Sequence, residues 1–146
     1  MIELDIFSDT VCPWCYIGKK RLEKAIEKHS HLEIKQTWRP FQLNPGIPPD
    51  GMDRQEYLVS KFGSADAAKT IYENIFEEGK KEGIDFNFDS IEVTPNSFNS
   101  HRLLALAYKQ NIQEDVLNDL FEAYFIRGED IGCLLYTSDA ADEERG

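Results

Sequence analysis

The chain begins with a period of two. Ile2, Leu4 and Ile6 alternate with Glu3 and Asp5, and Phe7 lengthens the apolar end, which predicts a short strand over residues 2–8. The period then lengthens. Ile17, Gly18, Leu22, Ala25 and Ile26 recur at helical spacing, while Lys19, Lys20, Arg21, Glu23 and Lys24 fill the opposite face, so residues 14 to about 29 predict a helix. Asp9-Thr10-Val11-Cys12-Pro13 opens it, because proline is tolerated in a first turn and polar side chains are available as caps. Leu32–Gln42 returns to an extended pattern through Ile34, Thr37 and Phe41. Strand, helix and strand in this order predict a right-handed parallel βαβ unit.

Pro45-Gly46-Ile47-Pro48-Pro49-Asp50-Gly51 is the clearest break in the chain, and the pattern beyond it is helical. Asp53–Phe62 predicts a short helix ended by Gly63. Ser64 caps a longer one with Ala68, Ile71, Tyr72, Ile75 and Phe76 as its apolar stripe, closed by Lys80-Lys81-Glu82-Gly83. Phe86-Asn87-Phe88 is brief and extended. Pro95 or Asn96 starts a further helix with Leu103, Leu104, Leu106, Ala107 and Tyr108 inside, and Asp115–Arg127 forms the last. A two-stranded sheet cannot by itself bury a helix packed on it, so the sheet is expected to be unfinished. From Cys133 the periodicity is lost, and Cys133–Glu143 resembles a translated sequencing adapter of the transposase-library type. The expected organisation is therefore residues 1–45 as the βαβ part, 46–132 as a helical block, and 133–146 as a non-native tail.

Composition narrows the function classes. Over 146 residues, 27 acids oppose 16 Lys and Arg for a net charge of −11, and removing the tail still leaves 23 acids against 15 bases. That balance argues against nucleic acid or an anionic membrane as the main partner. No apolar run approaches the roughly 20 residues that span a bilayer. Two acids and no basic flank at the N-terminus argue against a secretory signal, so a cytoplasmic location is expected.

Three cysteines are too few for a disulfide framework, and in a cytoplasmic setting disulfides are usually catalytic or redox-sensing. Cys12-Pro13-Trp14-Cys15 follows the first strand and opens a helix. The two-residue gap lets both sulfurs meet within one turn. Cys12 takes the positive end of the helix dipole, where unsatisfied N–H groups favour a thiolate, and Cys15 lies one turn deeper as the resolving thiol, expected to be the more buried. Pro13 stiffens the turn, and Trp14 is expected to be exposed as a contact surface. The competing readings are a zinc site or inert core cysteines. Zinc would need two further ligands, and His29 and His31 lie at the far end of the helix with His101 in the helical block, so no metal is expected. Strand, C-x-x-C and helix within a βαβ unit favour redox chemistry.

Ile6–Gly18, Trp38–Pro45 and Pro95–Leu103 carry three motifs, in order, that resemble the DsbA family of thioredoxin-like proteins in its FrnE-like branch. The resemblance spans residues 2 to about 127. It implies an α/β thioredoxin-like fold interrupted by a helical insertion domain and truncated after that insertion. The implied activity is thiol–disulfide exchange on protein or small-thiol substrates, glutathione among them, without metal, nucleotide or other cofactor. The family's remaining strands and cis-proline loop would follow residue 132, so this chain is expected to be at best a poor enzyme. Where strongly oxidising members carry Pro-His, this chain has Pro13-Trp14, which implies a less oxidising couple. A sister group of glutathione-dependent isomerases and kappa-class transferases usually has Ser at the first cysteine position, and Cys12 argues against it. A non-enzymatic interaction domain is the other alternative. His101, Asn96 and Arg102 are candidates for the substrate cleft, against a plainer reading in which Asn96 caps a helix and His101 fastens the helical block. Trp38 and Phe41 read as core or interface. Substrate, direction of electron flow and oligomeric state are not legible.

Overall fold

Backbone pairing turns the first alternation into β1, Ile2–Ser8, and the second into β2, Ile34–Pro40, two residues shorter at each end than Leu32–Gln42. A computed structural model gives the structure and describes residues 1–133. The expectation for the tail therefore lies outside the described residues except at Cys133, which is exposed. The two strands run parallel, in a register that pairs Ile2 with Ile34 and Ile6 with Trp38. Between them runs α1, Pro13–Lys28, with Cys12 as its N-cap and Pro13 in its first turn.

The helical block follows the predicted order, with shifted ends. It comprises α2 (Arg54–Phe62), α3 (Ala65–Lys81), α4 (Phe98–Lys109) and α5 (Gln113–Phe125). Gly63 ends α2 in the left-handed conformation, at φ 89°, where a side chain would be strained, and the Ser64 hydroxyl accepts from the Ala67 N–H to start α3. A second, antiparallel ladder was not visible in the pattern: β3, Met52–Asp53, pairs with β4, Val93–Thr94. Of Phe86-Asn87-Phe88, expected to be extended, the first two lie in irregular chain and Phe88 opens a single 3-10 turn, Phe88–Ser90.

One apolar cluster crosses the expected boundary at residue 45. Tyr16 and Ile17 of α1 and Trp38 of β2 are buried with Ile75, Ile84, Phe86 and the apolar face of α5, from Val116 to Phe125. Tyr16 stacks on Phe121 at 4.7 Å between ring centroids and meets Phe86 edge-on at 5.8 Å. The first turn of α1, and the dithiol on it, is thus rooted in the helical block. On the surface, Arg21 and Lys24 of α1 reach Glu78 of α3 and Glu82 just beyond it.

Several side chains depart from the pattern. Lys19, placed on the solvent face by periodicity, is buried, with its ammonium 2.6 Å from Glu23 and 5.7 Å from the centre of the Trp38 ring. Its stem packs while its head finds a carboxylate and a π face. Ala25, Ile71 and Tyr108, all expected inside, are exposed, and Gly18 with them. Gln113 closes the free edge of β2: its side-chain amide accepts from the Trp38 N–H at 2.8 Å and donates to the Trp38 carbonyl at 3.1 Å. An edge strand otherwise presents such groups unpaired.

Candidate redox site

β1 delivers Ser8 and Asp9 to the floor beneath the first turn of α1. Cys12 and Cys15 are both in the thiol form and both half-buried. The expected contrast in burial is therefore absent. Cys15 is one turn further along α1, but that turn still borders the surface. Trp14, between them, is 44% exposed, and Pro13 is buried.

The two sulfurs share a hydrogen bond, and this dominates their acidity. The Cys12 thiol donates, which holds the Cys15 thiol down to about 6. Burial pushes the other way, and the Ser8 hydroxyl and the Asp9 N–H assist the lowering. Among the described residues the buried Ser8 hydroxyl has no other partner. Cys12, giving up its proton second, is pushed well above the ordinary thiol range by that same bond, by burial, and by the neighbouring charge. One proton thus serves two sulfurs, and the first acidity belongs to the pair. Two features bear on where the charge sits once the shared proton moves. The backbone N–H groups of Trp14 and Cys15 favour charge on Cys12, and the Asp9 carboxylate opposes charge on Cys15.

Asp9 was read from the sequence as part of a polar cap, yet no side chain caps α1. Its carboxylate, 1% exposed, instead accepts from the Leu43 N–H at 2.8 Å and lies 3.2 Å from His101 Nε2. Burial would raise its carboxyl, but the hydrogen bonds from His101, Leu43 and Ser97, with the His101 charge, outweigh burial and hold it below the usual value. Nε2 also faces the Phe41 carbonyl at 3.0 Å. With two acceptors in front of it, that nitrogen carries the proton. Beside this pair, the buried hydroxyls of Thr10 and Ser100 lie 2.7 Å apart, and Ser100 donates to the Ser97 carbonyl.

His101 thus lies behind the dithiol, bridging the β1–α1 turn, the 41–43 segment and α4. Asn96 donates to the Ile47 carbonyl at 2.7 Å and accepts from the Phe98 N–H at 2.8 Å, so it fastens the Pro-rich loop and the start of α4. Arg102 is exposed and donates to Asn99 on its own helix. These three do not converge on the sulfurs. Ser8 and Asp9 do; a polar pair at the end of a strand, just before a C-x-x-C, was the available signal. Phe7 at 69% exposure, Phe41 and Phe98 present further apolar surface, whereas Trp38 is buried. Among the described residues no cluster of three or more His, Cys, Asp or Glu is arranged for a metal, and no helix is long and apolar enough to cross a membrane.

The sequence profile of the family described as DSBA-like thioredoxin domain matches residues 3–138. The uncharacterized protein YwbO of Bacillus subtilis is 24% identical over 97% of this chain and 66% of its own length. A crystal structure of a probable DsbA oxidoreductase from Streptomyces coelicolor superposes with a TM-score of 0.84 at 26% identity, covering 99% of this chain and 66% of that one. A solved structure from Nitrosomonas europaea, 14% identical, shares the fold with a TM-score of 0.65 over 98% of this chain and 64% of its own. The chain spans just under two thirds of the length of these relatives.

Proposed function

This chain belongs to the family of DsbA-like thioredoxin domains, and from that premise we propose that its parent protein is a thiol–disulfide oxidoreductase of the FrnE-like branch, working through Cys12 and Cys15. The observation that carries the reading is the hydrogen-bonded thiol pair on the first turn of α1, with its first acidity held at about 6. A thiolate near neutral pH is what exchange requires. The α/β thioredoxin-like fold, with residues 46–132 as its helical insertion, supplies the frame.

Cys12 is the attacking thiol in this reading. Its thiolate displaces one sulfur of a substrate disulfide, giving a mixed disulfide and a substrate thiolate that takes up a proton. Cys15, as thiolate, then attacks the Cys12 sulfur and releases the second substrate thiol. The substrate gains two electrons and two protons, and the dithiol becomes a disulfide; the reverse sequence oxidises a dithiol substrate. The choice of Cys12 rests on the Trp14 and Cys15 N–H groups aimed at its sulfur and on the Asp9 charge beside Cys15. Pro13 sets the turn, and the exposed ring of Trp14 meets the substrate. Isomerase activity, small thiols such as glutathione among the substrates, a cytoplasmic setting and a couple less oxidising than one with a His between the cysteines belong to the same proposal.

Equilibration in glutathione buffers of graded ratio, followed by acid quench, alkylation and mass mapping, tests it. A reversible Cys12–Cys15 disulfide supports the reading. A dithiol that stays fully reduced across the series, or a mixed disulfide that persists on Cys12 without resolution, contradicts it.

A further inference from the structure

A groove of about 660 Å³ opens in the helical block between α2, α3 and the 86–91 segment, and no residue of the Cys12–Cys15 motif lines it. We propose that this groove is a binding site for a small organic monoanion, a single carboxylate carried on a flat apolar body. The anchor is Arg54, the first residue of α2, which lines the groove and is 6% exposed. Its backbone N–H is spent on the Glu92 carbonyl, and its guanidinium carbon sits 4.7 Å from the centre of the Tyr72 ring. Among the described residues no carboxylate comes within ion-pair distance of it. A buried charge offered only the ring and hydroxyl of Tyr72, with no carboxylate beside it, is costly, and a guanidinium fork matches a carboxylate in two-point geometry.

Body and charge of the ligand follow from the rest of the lining. Phe76, Phe86 and Phe88 supply apolar walls, with Phe86 and Phe88 stacked at 4.7 Å, which suits a planar ring. The volume falls within the ~300–1,000 Å³ of small-molecule sites. At the rim, Glu73, Glu77 and Asp89 are exposed against one lysine, Lys69. That acidic mouth disfavours nucleotides and other polyanions but admits one negative charge that reaches Arg54.

The test compares 1-naphthoate with its uncharged amide, 1-naphthamide, by calorimetric titration of the 146-residue chain. The acid is expected to bind about tenfold or more tightly than the amide, the worth of one charge-assisted hydrogen bond. Arg54→Met should bring the two within about twofold of each other, since only uniform apolar contact remains. Ala65→Phe, at the exposed mouth of the groove, should weaken both ligands and leaves Arg54 intact. If Arg54→Met loses its helical far-UV signal, Ala65→Phe decides: unchanged naphthoate binding overturns the proposal. Equal affinities in the unsubstituted chain, an acid preference that survives a folded Arg54→Met, or no naphthoate binding at millimolar concentration overturn it as well.

Discussion

Replacing His101 with leucine strikes the contact that joins the turn before the dithiol to α4. His101 Nε2 is the donor shared by Asp9 Oδ1 at 3.2 Å and the Phe41 carbonyl at 3.0 Å. Leucine fills similar space and donates nothing. Asp9, at 1% exposure, keeps the Leu43 N–H at 2.8 Å and the Ser97 hydroxyl but loses its strongest support. A lost hydrogen bond to a buried charge costs about 1.5–3 kcal/mol and an orphaned carbonyl about 1 more, so the loss should be roughly 3 kcal/mol. The effect also depends on pH, and its sign is fixed. Asp9 is held below 3.8 in the folded state, so its stabilisation is complete above that value and drains as pH falls through the lower folded value. In the leucine variant only the Leu43 and Ser97 hydrogen bonds oppose burial, so the folded value rises and acid unfolding begins at higher pH. His101→Gln keeps a donor at the same reach and should recover more than half of the loss. Urea unfolding followed by far-UV ellipticity, at neutral pH and again just above 3.8, measures both effects. A leucine variant within about 0.5 kcal/mol of the parent, or a glutamine variant as damaged as the leucine one, refutes the reasoning.

Three further outcomes follow from the packing and the thiol pair. Gln113→Leu should cost about 2–3 kcal/mol in the same assay, because the Trp38 N–H and carbonyl on the free edge of β2 lose their partners; a near-neutral effect would show that water replaces the amide. Gly79→Ala should destabilise α3 by about 1–3 kcal/mol, although alanine is the better helix former, because the new methyl would run into the Phe86 ring; a gain in thermal stability would contradict that contact. Iodoacetamide labelling of the Cys12–Cys15 pair should rise with pH through about 6 rather than near 9.0, and a single rise near 9.0 would remove the shared-proton account.

Local features of this protein were legible in the sequence and long-range ones were not. The strand at Ile2–Ser8, the C-x-x-C at a helix start and the Gly63-Ser64 joint between α2 and α3 each depend on residues a few positions apart. Periodicity and capping chemistry report such neighbours directly. Asp9 looked like a cap because it stands three residues before Cys12; its partner, His101, is 92 residues away. Gln113 carries no local signature at all, since it mimics a strand for Trp38 across 75 residues. Lys19 follows the polar face of its helix and is buried because Trp38 and Glu23 meet it there. The Met52–Asp53 and Val93–Thr94 ladder has two residues a side, too few for any alternation to show. The C-x-x-C spacing of Cys12 and Cys15 is plain in the sequence, but their equal burial is not, because the depth of a helical turn depends on what covers it.

Trapping the mixed disulfide tests the redox assignment most directly. In a Cys133→Ser background, Cys15→Ser and Cys12→Ser variants are offered a peptide disulfide, quenched in acid, and mapped by mass spectrometry. With the resolving thiol gone, Cys15→Ser is predicted to accumulate the peptide on Cys12, while Cys12→Ser stays largely unmodified. Accumulation on Cys15 in the Cys12→Ser variant, as fast as or faster than on Cys12 in its counterpart, would contradict the account.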